Sequence, residues 1–157
     1  MKHILLLLLL PILFSCGNEA AVATLPDPVP DQEMQASEKG LSLMLTDDTF
    51  SGSPTVIETL VRNDSPHDYN FGEFYHIEIN KDSLWYIITY SDVVFLKNPR
   101  FKDTGSTLQT GNETHQTFSV EALGVTLLSG EYRLVKSFLS QGESFHEISV
   151  AALFWVK

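Results

Sequence analysis

A regular alternation of apolar and polar residues begins after Gly40, and it constrains the fold of this chain more than any other feature. Leucines occupy positions 41, 43 and 45, and residues 55–61 are rich in β-branched side chains. Because residues two apart lie on one face of a strand, both segments are predicted to be half-buried β-strands. Further apolar segments of strand length occupy residues 69–79, 84–88, 93–96, 117–120, 132–139 and 148–156.

Turn-forming residues separate these segments. Residues 63–66 read Asn-Asp-Ser-Pro and residues 80–82 read Asn-Lys-Asp, both compositions typical of turns. Glu73, beside Gly72, interrupts the apolar face of residues 69–79, which predicts a β-bulge. No segment after residue 40 keeps a helical period over three turns. Short strands at this spacing predict an all-β sandwich or barrel.

The charge balance of the chain limits its partners. Twenty acidic residues against ten basic ones give a net charge of −10. Binding of nucleic acid and adsorption to anionic lipid both need basic patches, so neither is expected. Cys16 is the only cysteine, which leaves no internal disulfide, and the domain must therefore be stabilised by its core.

The N-terminus has the features of a secretory signal. Lys2 is followed by an aliphatic run over residues 4–10, and residues 13–16 read Leu-Phe-Ser-Cys. The run is shorter than the roughly 20 apolar residues that a membrane span needs. The alternative is an ordinary secretory signal with an incidental cysteine.

The placement of Cys16 resembles that of the lipidated cysteine in the box of bacterial lipoproteins. The resemblance implies removal of residues 1–15, a diacylglyceryl group on the Cys16 thiol, and membrane attachment through that lipid. The mature chain would keep 142 residues and, without Lys2, a net charge of −11. Gly17 is not the aspartate associated with inner-membrane retention, so the expected location is the cell envelope, at the outer membrane or cell surface.

The segment after Cys16 is expected to be a tether over residues 16–39. Pro26, Pro28 and Pro30 stand at alternate positions, and proline favours extended, semi-rigid conformations. This composition predicts a spacer that holds a folded domain, residues 40–157, away from the membrane.

Several segments of the domain together resemble a family of bacterial immunoglobulin-like domains. An aliphatic strand runs into Asn-Asp-Ser at residues 63–65, and Tyr-Asn-Phe-Gly-Glu follows at 69–73. Residues 128–138 read Leu-Ser-Gly-Glu-Tyr-Arg-Leu-Val-Lys-Ser-Phe, with Ser129 where the family usually has proline. The resemblance implies an immunoglobulin-like antiparallel β-sandwich of seven to nine strands.

Three residues are expected to have structural roles. Tyr132 is placed as in a tyrosine corner, whose hydroxyl bonds to nearby backbone. Gly130 would allow a tight turn before it through a positive φ. Trp85 is expected in the core, as is Phe118. Arg133 and Lys136 are expected to point outward or to pair with Glu73 or Glu78 at the surface.

No catalytic or cofactor-binding motif is found in the sequence. It contains no nucleophile elbow, zinc-binding helix motif or phosphate loop, so no catalytic residue, metal site or cofactor is expected. His76 could share a strand face with Phe74 and Glu78 as a metal or proton site, although a surface histidine is the preferred interpretation. A hydrolase using Glu73 and Glu78 is disfavoured because residues five apart point to opposite faces of a strand.

Two functional hypotheses remain. The first is a non-enzymatic, lipid-anchored domain for binding or envelope structure, with contacts through the loops at residues 64–68 and 98–112. The second is an accessory or inhibitory lipoprotein that captures a protein or glycan ligand with exposed aromatics such as Tyr69, Phe74 or Tyr86.

Overall fold

The computed structural model describes residues 21–90, 105–141 and 146–157, and these residues fold into strands and turns. In chain order the strands are β1 (Ser37–Glu38), β2 (Leu41–Leu45), β3 (Thr49–Phe50), β4 (Val56–Asn63), β5 (Tyr69–Phe71), β6 (His76–Lys81), β7 (Leu84–Ile87), β8 (Ser106–Leu108), β9 (Glu113–Ser119), β10 (Gly130–Ser140) and β11 (Glu147–Val156). A single 3₁₀ turn, Glu121–Leu123, is the helical element in these ranges. None of the described segments forms a helix long and apolar enough to cross a membrane.

The strands form two sheets packed face to face. One sheet has the order β1-β2-β4-β9, with every neighbouring pair antiparallel. The other has the order β3-β11-β10-β5-β8, and β6 also pairs with β10 and carries β7 at its side. Its pairs are antiparallel except for β3 with β11. The predicted immunoglobulin-like β-sandwich is confirmed.

The number of strands exceeds the predicted seven to nine because strands of two residues are too short to show an alternating pattern in the sequence. The described residues contain eleven strands, and β1 and β3 have two residues each. At the expected bulge the structure has a longer break. Strands β5 and β6 pair with the same edge of β10, and residues 72–75 leave the sheet between them. The predicted strand at residues 93–96 lies outside the described residues.

The core between the sheets contains two clusters of apolar side chains, one toward each end of β10. The first cluster includes Ile77, Tyr132 and Phe154. The second includes Tyr69 and Phe138. Full burial of such a side chain stabilises a fold by roughly 1.5–3 kcal/mol, so these clusters can stabilise a domain that has no disulfide.

Residues 22–36, called the strap below, lie against the larger sheet. Leu25 N donates to Ile87 O at 2.9 Å, and Val29 N donates to Trp85 O at 2.9 Å. The strap then crosses the outer face of the sheet toward β11, where Ala151 N donates to the carbonyl oxygen of strap residue 35 at 2.9 Å. It continues directly into β1.

The strap is docked, whereas a semi-rigid spacer that holds the domain off the membrane is expected over residues 16–39, of which 16–20 lie outside the described residues. Val22 and Val29 are both buried against the domain. Alternating prolines leave the N–H of every second residue available for hydrogen bonding. Val29 donates its N–H to a backbone carbonyl, and Pro28 and Pro30 on either side keep the chain extended. Proline is compatible with the edge of a sheet, so a composition typical of a spacer also fits a docked edge segment.

Candidate functional site

Tyr132 is a fully buried member of the first cluster. Its hydroxyl donates to Leu128 O at 2.6 Å, which is the bond expected of a tyrosine corner, and its ring stacks on Phe154 with centroids 5.4 Å apart. Burial raises the pKa of the Tyr132 hydroxyl, and the bond to Leu128 acts in the opposite direction. Gly130 does not have the expected positive φ. A Cβ there would contact the Tyr132 ring at 3.4 Å, an ordinary van der Waals distance.

Arg133 pairs with Glu78, one of the two partners expected for it, but the pair is buried rather than exposed at the surface. It pairs in register with Glu78, whereas Tyr132 pairs with Ile79 in the core, so Arg133 and Glu78 lie on the outer face of the sheet. Arg133 Nε is 2.6 Å from Glu78 Oε2, and each side chain is 1% exposed. The strap covers this ion pair, and it is this cover that the sequence alone did not indicate.

The remaining donors of Arg133 bind the strap. Its guanidinium nitrogens donate to Asp31 O at 2.6 Å and to Gln32 O at 3.3 Å. Its guanidinium carbon lies 4.7 Å from the centroid of the Trp85 ring. Trp85 is buried as expected but stands outside both core clusters, because it pairs with Asn80 on the outer face. The guanidinium therefore links the sheet, the strap and Trp85.

His76 extends the same polar cluster. Its Nε2 is 2.8 Å from Glu78 Oε1, so both carboxylate oxygens of Glu78 are engaged. The Phe74 ring lies nearby, with its centroid 6.3 Å from that of His76. Across the described residues, no group of three or more His, Cys, Asp or Glu side chains is arranged to hold a metal ion.

Lys136 is also buried rather than exposed. Its Nζ donates to Phe74 O at 2.7 Å and to Gly72 O, both in the break between β5 and β6. The ammonium lies 5.8 Å from the Phe71 ring centroid and 5.6 Å from that of Phe138. A lysine within a strand usually indicates a face exposed to solvent. Lys136 instead donates to the backbone carbonyl groups of residues that leave the sheet between β5 and β6.

Asn63 organises the turn that follows β4. It is fully buried, and its Nδ2 donates to His67 O at 2.8 Å and to Leu108 O at 3.1 Å. Its Oδ1 accepts from the amide and the hydroxyl of Ser65. Gly40 packs against this turn with a φ of 84°, and a Cβ on Gly40 would lie 2.9 Å from Ser65 N. The Asn-Asp-Ser turn signal in the sequence therefore corresponds to a buried hydrogen-bond network.

The turns expected to carry recognition lie close to this network. Asp68 Oδ1 accepts a bond from Thr110 N at 2.8 Å, which joins the turn after β4 to the turn before β9. Asp64 forms an exposed ion pair with Arg62 at 2.8 Å. Residues 98–104 of the second expected loop lie outside the described residues.

A groove of about 560 Å³ opens between the sheets beside β9 and is lined by Glu73, Tyr75 and His115, among others. The Tyr75 hydroxyl donates to Ser119 O at 2.6 Å. Burial, assisted by Tyr90, raises the pKa of Tyr75 well above its usual range. Glu73 lines this groove while Glu78 lies under the strap, so the two carboxylates of the disfavoured hydrolase are not brought together.

The three aromatics proposed for ligand capture do not form one exposed cluster. Tyr69 is buried in the second cluster, and Tyr86 packs half-buried against the first. Phe74 is 52% exposed. It borders a second groove of about 500 Å³, which is also lined by Phe71 and Leu139.

Comparison with known proteins agrees with this architecture. Residues 37–155 match the family model of the bacterial Ig-like domain, whose members are generally non-catalytic. No curated protein matches the chain. The match begins with β1, ends one residue before the end of β11, and includes Tyr132, Arg133 and the Asn63 turn. Sequence match and two-sheet architecture together make this chain a member of the bacterial Ig-like domain family.

Proposed function

We propose that this chain is a bacterial lipoprotein, anchored in the cell envelope through a lipid on Cys16. Its immunoglobulin-like domain would serve binding or envelope structure without catalysis. The observation that carries the proposal is the connection between the Cys16 box and the docked strap. Only five residues separate Cys16 from Val22, which is buried against the domain. A lipid on Cys16 would therefore hold the folded domain directly at a membrane, and Gly17 in place of aspartate favours the outer membrane or cell surface.

The arrangement of polar side chains supports a non-enzymatic role. Glu78, Arg133 and Lys136 are each engaged by protein groups within the fold. Buried, fully paired charges of this kind stabilise a particular conformation rather than act on a substrate. Family membership points in the same direction.

The anchoring experiment compares wild type with Cys16→Ser in cells supplied with labelled palmitate. Fractionation alone is insufficient, because an uncleaved signal can also retain the variant in membranes. Wild type should carry label, have the mature size and remain in membranes after a high-salt wash. Cys16→Ser should carry no label. Ser15→Ala keeps a small residue before the cysteine and serves as the matched control, which should behave as wild type. Equal labelling of wild type and Cys16→Ser would contradict anchoring at Cys16.

A second candidate function is capture of a protein or glycan ligand. The observation that favours it is the exposed Phe74 ring beside the groove that Phe71, Leu139, Asn70 and Glu147 line. An aromatic ring with neighbouring polar groups suits contact with a sugar face or a peptide side chain. A glycan array and an envelope pull-down, each with wild type and Phe74→Ser, would test it. Ligands retained equally by both would argue against this surface.

A further inference from the structure

The groove of about 500 Å³ beside Phe74, called the Phe74 groove below, contains a row of side chains from three neighbouring strands. Leu139 of β10 lies opposite Asn70 of β5 on one side and opposite Glu147 of β11 on the other. Residues opposite each other in a sheet point to the same face. Because neighbouring strands lie about 4.8 Å apart, Asn70 and Glu147 stand about 10 Å apart with Leu139 between them. The row therefore places an amide and a carboxylate on either side of an apolar centre.

The amide of Asn70 is oriented by the neighbouring strand β8. Thr107 Oγ1 donates to Asn70 Oδ1 at 2.8 Å, which leaves Asn70 Nδ2 as a donor toward the groove. Within the part of the chain that the structure describes, Asn70 Nδ2 and the exposed carboxylate of Glu147 have no hydrogen-bond partner. The row thus offers a hydrogen-bond donor on one side of Leu139 and an acceptor on the other.

The apolar surface of the groove comes from Phe74 and Leu139. Both side chains are exposed, and Phe74 reaches the groove from the break between β5 and β6. The face of an aromatic ring is electronegative and attracts the weakly positive hydrogens of C–H groups. A ligand that complements this surface has an apolar face and polar groups around its rim.

The floor of the groove offers no free backbone to an extended peptide. Strand β10 pairs there with β11 on one side and with β5 on the other. The carbonyl oxygens of Gly72 and Phe74 accept bonds from the Lys136 ammonium, which also lines the groove. Strand addition needs an open sheet edge, so a ligand here must be held by side chains. The carboxylate of Glu147 repels an anionic ligand.

We propose that the Phe74 groove binds a neutral saccharide. The C–H face of a sugar ring packs on Phe74 and Leu139. One sugar hydroxyl donates to the Glu147 carboxylate, a charge-assisted bond, and another accepts from Asn70 Nδ2. This inference rests on the capture function proposed above for the same groove and names its ligand class. It does not depend on lipidation of Cys16.

The test measures saccharide binding by the full-length protein, purified in a detergent that has no sugar headgroup. The probes are an array of neutral and acidic oligosaccharides, followed by calorimetric titration with the neutral oligosaccharide that gives the strongest signal. Asn70→Asp keeps the acceptor for Thr107 but removes the Nδ2 donor, and Glu147→Gln removes the charge while keeping the shape. Each variant should weaken binding of the neutral oligosaccharide by about tenfold or more. Leu153→Ser, an exposed position on the same face of β11 that lines a different groove, is the matched control and should bind as wild type.

The outcomes separate the ligand class from the capture function. Glu147→Gln should also bind acidic oligosaccharides that the wild type rejects, because the repelling carboxylate is gone. Unchanged affinity in both groove variants, or a preference of the wild type for acidic oligosaccharides, would overturn the inference. If the array shows no bound saccharide but the envelope pull-down returns a protein that Phe74→Ser loses, capture stands and the saccharide is wrong. If neither assay returns a ligand that depends on Phe74, the capture function fails as well.

Discussion

The buried ion pair under the strap gives the most distinctive prediction. Arg133 and Glu78 are each 1% exposed and 2.6 Å apart. Replacing one member leaves the other charge buried, which costs about 3–5 kcal/mol in comparable pairs. Arg133→Met also removes two bonds to strap carbonyls, each contributing about 1.5–3 kcal/mol because the donor is charged.

The double variant Arg133→Met/Glu78→Leu should be more stable than Arg133→Met alone. It loses the same strap bonds but leaves no buried carboxylate that has lost its arginine partner, and apolar replacement of a buried pair is often neutral or stabilising. Urea unfolding of residues 16–157 carrying Cys16→Ser measures these free energies. Hydrogen exchange at the Leu25 and Val29 amides should accelerate in both variants that lack Arg133.

Two outcomes would contradict a buried and coupled Arg133–Glu78 pair. If Arg133→Met, Glu78→Leu and the double variant all lie within about 0.5 kcal/mol of the parent, the pair is solvated, as surface pairs are. If the double variant is as unstable as the sum of the single variants, Arg133 and Glu78 act independently rather than as a pair.

Three further predictions concern the core and the turn. Tyr132→Ala should lower the free energy of unfolding in urea by about 3–5 kcal/mol, whereas Tyr132→Phe, which loses only the bond to Leu128, should lower it by about 0.5–1.5 kcal/mol. Trp85→Ala should resemble Tyr132→Ala. Normal melting of either alanine variant would show that the replaced ring is exposed. Asn63→Ala should cost at least about 2 kcal/mol, since it leaves buried groups unpaired, and an unchanged midpoint would contradict the buried network. The raised pKa of Tyr75 means that its contribution to stability is fully present below pH of about 10 and is lost as the pH rises further. Tyr75→Phe should flatten that alkaline loss in a pH series of melting curves, and an identical series would refute it.

The fold class could be predicted from the sequence because the alternating pattern of a strand depends on neighbouring residues only. Alternation at residues 41–45 and the turn at 63–66 each indicate their own structure without reference to distant residues. The tyrosine corner at Tyr132 could likewise be predicted from a short segment, because the Tyr132 hydroxyl bonds to a residue only four positions away.

The arrangement under the strap could not be predicted in the same way. Arg133 contacts residues about a hundred positions away in the chain, and its burial depends on the strap docking across the sheet. Lys136 is buried because the sheet breaks beside it, which a strand pattern does not reveal. The sequence does offer Glu78 as a partner for Arg133, but the hydropathy of single residues predicts exposure for both cations and carries no information on the distant segments that bury them.

The most direct test of the central claim is mass spectrometry of the N-terminal peptide, isolated from the membrane fraction of cells expressing the natural chain. We expect a peptide that begins at Cys16 and carries a diacylglyceryl group, with no peptide from residues 1–15 in the mature protein. A mature chain with an unmodified Cys16 thiol, or one cleaved after Cys16, would contradict the account.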